Sequence, residues 1–428
     1  MPSTALGVPA YGTAPYAGYG YTPSPPPGGP SSWPQLVLEV AFTTAPLSAS
    51  PAWVDISTYL RSGSTRRGRS SEIDRFQAGT MPLVLDNRDR SFDPLNTSGP
   101  FYGYLKPSRR VRLRAISSYV TYPVFDGFVN GWGQAHEIKG DQRCNITATD
   151  LFGILAGVKV SASFTRPMES SGARVAAILA HVGVPAAMQD IDSGSAVLAA
   201  KTYDSAPYAL DALFDVDSTE QGRMFVARDG RFTFRSRDSM VTGTSFTTPQ
   251  VYFADTLAGS TVPYSALSFD HSDRLVRNDI VVNNETWGAE TATDPALGPG
   301  DVIKSWSVTS LDASVEAARS TANNLLALYK DAKSRVDMFA VKPKRVTSGW
   351  PTGLFPAVLP LELGNRANLV RQPIGGGPSI NQDYWIDEID HAFGPAKWDT
   401  SFAFGLARDP VSYLVWDTGK WDIDKWGW

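Results

Sequence analysis

Cysteine is nearly missing: the 428 residues hold one, Cys144. A disulfide framework, a multi-thiolate zinc site and an iron–sulfur cluster held by this chain alone are therefore excluded. Histidine is scarce too. His136, His181, His271 and His391 lie far apart, and none has a second His or a Cys at ligand spacing, so neither metal binding nor imidazole catalysis is expected of them. Charged residues make up only 19% and balance to −4, with a pI of about 5.7, which removes the basic field a dedicated nucleic-acid binder needs. No run of about 18 apolar residues occurs, and no basic start precedes an apolar stretch, so neither a membrane span nor a secretory signal is expected. The expectation is a chain made and kept soluble in the cytosol. No P-loop, dinucleotide fingerprint, GxSxG elbow or HExxH is found.

Apolar residues at 42% suffice for a sizeable core, and the length suggests two or three domains. Residues 1–34 lack Asp, Glu, Lys and Arg but contain nine Pro, six Gly and four Tyr. Such a stretch cannot form a helix or central strand by itself. It is either a floppy terminus or an arm that docks Tyr11, Tyr16, Tyr19, Tyr21 and Trp33 on a neighbour. The far end, 411–428, carries Trp416, Trp421, Trp426 and Trp428, which either pack back on the chain or meet another subunit.

From Gln35 the pattern has period two, with Leu36, Leu38, Val40 and Phe42 on one face. Further strands are expected at 81–85, 110–116, 120–129 and 143–148. Asp150 or Thr149 can cap a short helix ended by Gly157. Many short strands over 35–160 suggest a sandwich or barrel. A mixed module is expected over 161–259: a helix capped by Ser170 or Ser171, a second helix signalled by Ser205 with Pro207 in its first turn, and a hairpin turning at Asp229-Gly230. Strands return over 260–410, at 266–270, 278–283, 302–308, 338–342, 357–363, 384–391 and 400–406, interrupted by a long helix at 312–333 capped by Asp312. Two β-rich blocks around a mixed module hint at an internal duplication, although no residue-by-residue repeat is visible.

Two charged groups stand out. Asp86-Asn87-Arg88-Asp89-Arg90-Ser91-Phe92-Asp93 gathers carboxylates, but Arg88 and Arg90 occupy positions where a calcium loop needs oxygen ligands, so an ionic turn is expected. Arg66, Arg67, Arg69 and Arg75 with Lys106, Arg109, Arg110, Arg112 and Arg114 form the one basic concentration. It is either solvated or paired with acids, or it faces a channel that passes DNA without reading it. Asp387, Glu388 and Asp390 are expected on a partly solvated strand, not as an acid/base pair. No residue is assigned as catalytic, cofactor-binding or metal-binding, and no cofactor is expected.

Trp53-Val54-Asp55-Ile56, Arg67-Gly68-Arg69, Glu72-Ile73-Asp74-Arg75, Ala78-Gly79-Thr80, Leu85-Asp86-Asn87, Phe92-Asp93-Pro94, Gly99-Pro100-Phe101-Tyr102-Gly103 and Phe125-Asp126-Gly127-Phe128 occur in that order. This series, over roughly 53–156, resembles minor tail proteins of siphophages infecting actinobacteria. Tyr384-Trp385-Ile386-Asp387 leading to Trp398-Asp399-Thr400 is similar, more loosely, to the closing strands of tail hub proteins. The resemblance implies a β-rich α+β chain with two tail-tube-like β-barrel domains and a smaller mixed helix-hairpin domain. It implies a non-enzymatic virion protein of the tail tip: a trimeric baseplate hub whose six barrels form a pseudo-sixfold ring, part of the DNA ejection channel. Its partners would be a distal tail ring, a tape measure protein and tail-tip or fibre proteins. The alternatives are a distal-tail ring or other minor tail subunit, and a tip protein that binds or degrades host wall glycan.

Overall fold

The computed structural model describes residues 33–138, 140–255, 261–342, 354–395 and 397–407. The arm before Trp33 and the tryptophan-rich tail lie outside the described residues.

Seven strands make the first unit: β1 (Gln35–Ala41), β2 (Val54–Asp55), β3 (Leu60–Gly68), β4 (Gln77–Asp86), β5 (Arg110–Ser117), β6 (Val120–His136) and β7 (Gln142–Thr149). Their order is β3-β4-β7-β6-β5-β1-β2. β6 is long enough to serve two neighbours, pairing β5 with its first half and β7 with its second. A bulge between Val129 and Gly131 separates the halves and bends the strand. Alternation then fills the interior: Leu36, Leu38 and Val40 of β1 and Val111, Leu113 and Ala115 of β5 share one core with Met81, Leu83, Leu85, Cys144 and Ile146.

Asp150 caps α1 (Leu151–Leu155) as expected, its Oδ1 accepting from the Phe152 N–H. The mixed region follows with β8 (Thr165–Arg166), β9 (Glu169–Ser170), α2 (Ser171–His181), β10 (Gln189–Ile191), β11 (Val197–Leu198), β12 (Lys201–Thr202), α3 (Ala209–Glu220), β13 (Arg223–Val226), β14 (Phe232–Arg235), α4 (Arg237–Thr242) and α5 (Thr244–Thr247). The β13–β14 connection is not the two-residue turn expected. Ala227 N–H donates to Arg231 O and Gly230 N–H to Ala227 O, with only Gly230 at positive φ, a three-residue loop with a glycine bulge.

The second unit comprises β15 (Val251–Ala254), β16 (Val262–Pro263), β17 (Ala266–Ser272), then, after an insertion, β21 (Lys333–Val341), β22 (Arg366–Arg371), β23 (Ile380–Gly394) and β24 (Lys397–Leu406). Its order is β17-β21-β24-β23-β22-β15-β16. Strand for strand, this repeats the first unit, with β23 in the place of β6. Both long strands carry a bulge at the midpoint, here between Ile386 and Glu388. The repeat differs in the direction of β15, which runs parallel to both β22 and β16, whereas β1 runs antiparallel to both β5 and β2. Among the described residues neither unit closes by strand pairing, for no ladder joins β2 to β3 or β16 to β17.

The insertion between β17 and β21 holds β18 (Asp279–Asn284), β19 (Gly288–Thr293), β20 (Ser305–Ser310) and α6 (Val315–Tyr329). Ile280, Val282 and Ala292 pack on Ala318, Ala322, Leu325 and Tyr329 in a core of their own. Ser314, not Asp312, caps α6; Asp312 instead accepts from the Ser310 hydroxyl. The strand expected at 357–363 is also wrong: α7 (Leu354–Val358) occupies its start, and Pro360 prevents the helix from continuing.

Candidate functional site: the junction between the units

The two units form one sheet because β23 has a spare edge. Its second half pairs with β24 on one side and antiparallel with β3 on the other, from Glu388 opposite Gly68 to Phe393 opposite Gly63. Gly68 makes that approach possible. Its φ is +120°, and a Cβ there would lie 2.1 Å from the Asp387 carbonyl oxygen. That carbonyl accepts from the Arg69 N–H at 2.8 Å.

Two ion clusters lock the junction, and each takes one group from the first unit, one from the mixed region and one from the second unit. In one, Asp387 receives Arg69 at 3.2 Å and Arg223. Burial alone would raise the Asp387 pKa, but the two guanidinium groups outweigh it and hold the carboxylate below its ordinary range. In the other, Arg67 Nη1 donates to Glu362 at 2.6 Å, and Glu362 accepts from the Arg228 N–H at 2.9 Å. His391 lies behind this cluster; burial, with Arg67 and Arg228 close by, pushes its pKa down to about 3, so the ring is neutral. Its Nδ1 meets Thr400 Oγ1 at 3.0 Å. Nearer solvent, Arg66 bonds Glu388 at 2.7 Å, while burial and Glu388 lift Asp390 to about 7.

Asp387, which alternation sets on the face opposite Glu388 and Asp390, is 1% exposed, while Glu388 and Asp390 are half-buried, as on a partly solvated strand. The basic concentration is dispersed into partners. Besides the three junction arginines, Arg110 pairs with buried Asp126 at 2.8 Å, and Arg112 and Arg114 both reach Glu39, each at 2.7 Å. Arg112 also lies over the Trp53 ring, Arg75 lies over Phe214, and Arg109 donates to the carbonyls of Tyr104 and Thr44. The acidic turn is ionic as read, with Arg88 on Asp86 at 2.6 Å and Arg90 on Asp93 at 2.8 Å. The histidines have separate surroundings: His181 stacks on Phe164 and meets the Ser161 hydroxyl, and His271 meets Ser334.

Apolar packing crosses the junction as well. Phe355 and Leu359 of the second unit, with Phe393 and Trp398 from the β23–β24 turn, belong to the first unit's core. Trp33, at the root of the N-terminal arm, packs on Phe355 with ring centroids 5.7 Å apart. An open groove of about 560 Å³ beside the junction is lined by Ser62, Gly63, Pro82, Asn145, Phe393 and Lys397, among others, with no carboxylate or imidazole in its lining. Among the described residues no His, Cys, Asp and Glu cluster could hold a metal, and no helix is long and apolar enough to cross a membrane.

The repeated β unit, joined edge to edge through β23 and β3, is a fold also seen in solved structures of tail proteins. The tail protein from Neisseria meningitidis MC58 is similar at a TM-score of 0.54 and 10% identity, over 86% of this chain and 96% of that one. The 43 kDa tail protein of prophage MuSo2 from Shewanella oneidensis is similar at 0.53 and 10%, over 88% and 97%. No family model matches the chain, and no curated protein does.

Sequence reasoning missed Glu362, Arg223 and Arg228. Arg67-Gly68-Arg69 and Tyr384-Trp385-Ile386-Asp387 both stand out in the sequence, but nothing local to either motif says that they meet.

Proposed function

We propose that this chain is a non-enzymatic structural protein of a phage tail tip, a hub in which three copies place six β units in one ring. The observation that carries this reading is the strand order that occurs twice and is joined through β23 and β3. A chain built of two like units can present six equivalent steps with three copies, which adapts a sixfold tube to a threefold tip. In this reading the units are tail-tube-like β units over roughly 35–160 and 260–410, the second also taking in β15 (Val251–Ala254) from the end of the mixed region expected at 161–259. The distal tail ring, tape measure protein and tip or fibre proteins are its neighbours, and phage DNA passes through the centre without sequence-specific contact. The likeness in fold to two tail proteins, one of them from a prophage, supports a place in the virion.

The test is the native mass of the purified chain. Sedimentation over a concentration series is expected to give a species of three times the 46.3 kDa chain mass. A six-copy ring would favour the distal-ring alternative, and a monomer with affinity for wall polysaccharide would overturn the hub reading.

A further inference from the structure

Within the chain, β23 and β3 use two edges whose counterparts in the repeat are open. β6 stands where β23 stands, yet its second half pairs only with β7 and meets no strand on the other side among the described residues. β17 stands where β3 stands, yet among the described residues it pairs only with β21. Each chain thus presents one open edge of either kind. We propose that β6 of one copy pairs antiparallel with β17 of a second copy, over residues 131–136 and 267–272, repeating between chains the joint that β23 and β3 make within one. This rests on the ring reading above and names the surfaces that build the ring.

The register can be transferred. Matching the two bulges places Gly131 where Glu388 stands, and matching strand ends places Ser272 where Gly68 stands. Gly131 then faces Ser272, Gly133 faces Asp270 and Ala135 faces Ser268. The side-chain alternation agrees independently, which a one-residue slip would destroy. On β6, Trp132 belongs to the first unit's core, whereas Gly133 is exposed. On β17, Leu267 and Phe269 pack on the core of the second unit. In the transferred register Phe269 is opposite Gln134 and Leu267 opposite His136, on the same face as Trp132, so the two core-facing rows align.

The outward residues of the second half of β6 are small: Gly131, Gly133 and Ala135. A Cβ on Gly131 would meet nothing within 4 Å, and one on Gly133 would lie 3.1 Å from the Asn145 carbonyl oxygen of β7. Glycine inside a strand costs conformational entropy, and a closely approaching backbone is one reason to keep it. An open edge is also an aggregation risk that proteins leave only where a partner covers it or where it is blunted. Because the two edges differ, the contact is head-to-tail, and such contacts close into rings when the rotation allows.

Paired cysteines test the register. The variant Ala135→Cys with Ser268→Cys, and separately Gly133→Cys with Asp270→Cys, is expected to give disulfide-linked dimers and trimers after mild oxidation. Mixing the Ala135→Cys and Ser268→Cys single variants is expected to give linked dimers, and neither single variant alone to give any. Ala135→Cys with Ser272→Cys, four residues out of register, is expected to link at least tenfold less. Buried Cys144 is unchanged throughout. If sedimentation gives the trimer but the matched pairs do not link, or link no better than the control, the strand assignment is overturned while the hub reading stands. If nothing larger than one chain forms, both fall.

Discussion

Asp387 is shared by Arg69 and Arg223, so replacing it with Ala strands two guanidinium charges at a buried site. Removing one partner of a buried ion pair costs about 3–5 kcal/mol, and Asp387→Ala is expected in that range by urea denaturation. Asp387→Asn keeps the shape and two polar atoms and should cost less. Gly68 is constrained by conformation: Gly68→Ala is expected to lose about 1–3 kcal/mol from backbone strain, plus the clash with Asp387. Asp150 gives a pH signature. Burial lifts its pKa to about 7 although Gly79 and Phe152 N–H groups donate to it. Since the folded pKa exceeds the unfolded value of roughly 3.9, its contribution is full below about pH 4 and is lost as pH rises through 7. Asp150→Asn should therefore gain stability relative to the parent between pH 4 and 8; a constant difference across that range would contradict the assignment. At this scale the sequence showed Asp150 as a cap and the Asp86–Asp93 turn as ionic, because both depend on neighbours within a few residues. The partners of Arg67 and Arg69 lie some three hundred residues away, and no local pattern marks them.

Among elements, the β23–β24 hairpin has the widest reach: its base lies in the second unit and its tip in the first unit's core. Phe355 on α7 is 7% exposed and packs against both Trp33 and Trp398. Phe355→Ala is expected to cost about 3–5 kcal/mol by calorimetry or denaturant titration, although the residue belongs to one unit and its cavity opens in the other. Strands with an apolar row, such as β1, β5 and β7, were legible from alternation. β3 and β22 were not. β3 reads Leu-Arg-Ser-Gly-Ser-Thr-Arg-Arg-Gly because it is held by neighbours on both edges and by ion pairs, with few apolar side chains of its own. α7 was misread as a strand because its apolar run is too short to show a period.

For the whole molecule, the duplication hinted at by the alternation of β-rich and mixed regions is visible only as strand order. Topology constrains packing, not residue identity, so two units can share it with no repeat in sequence. The interlocked cores and the shared strand predict that both units unfold in one transition, with intrinsic fluorescence and far-UV circular dichroism coinciding; two separated transitions would mean the junction is weaker than its ion clusters and aromatic packing imply. The account depends most on what the paired units build together. Electron microscopy of the assembled particle is the direct measurement: the account predicts a ring of threefold symmetry containing six β units, two from each chain. A ring with one β unit per chain, or a particle without rotational symmetry, would contradict it.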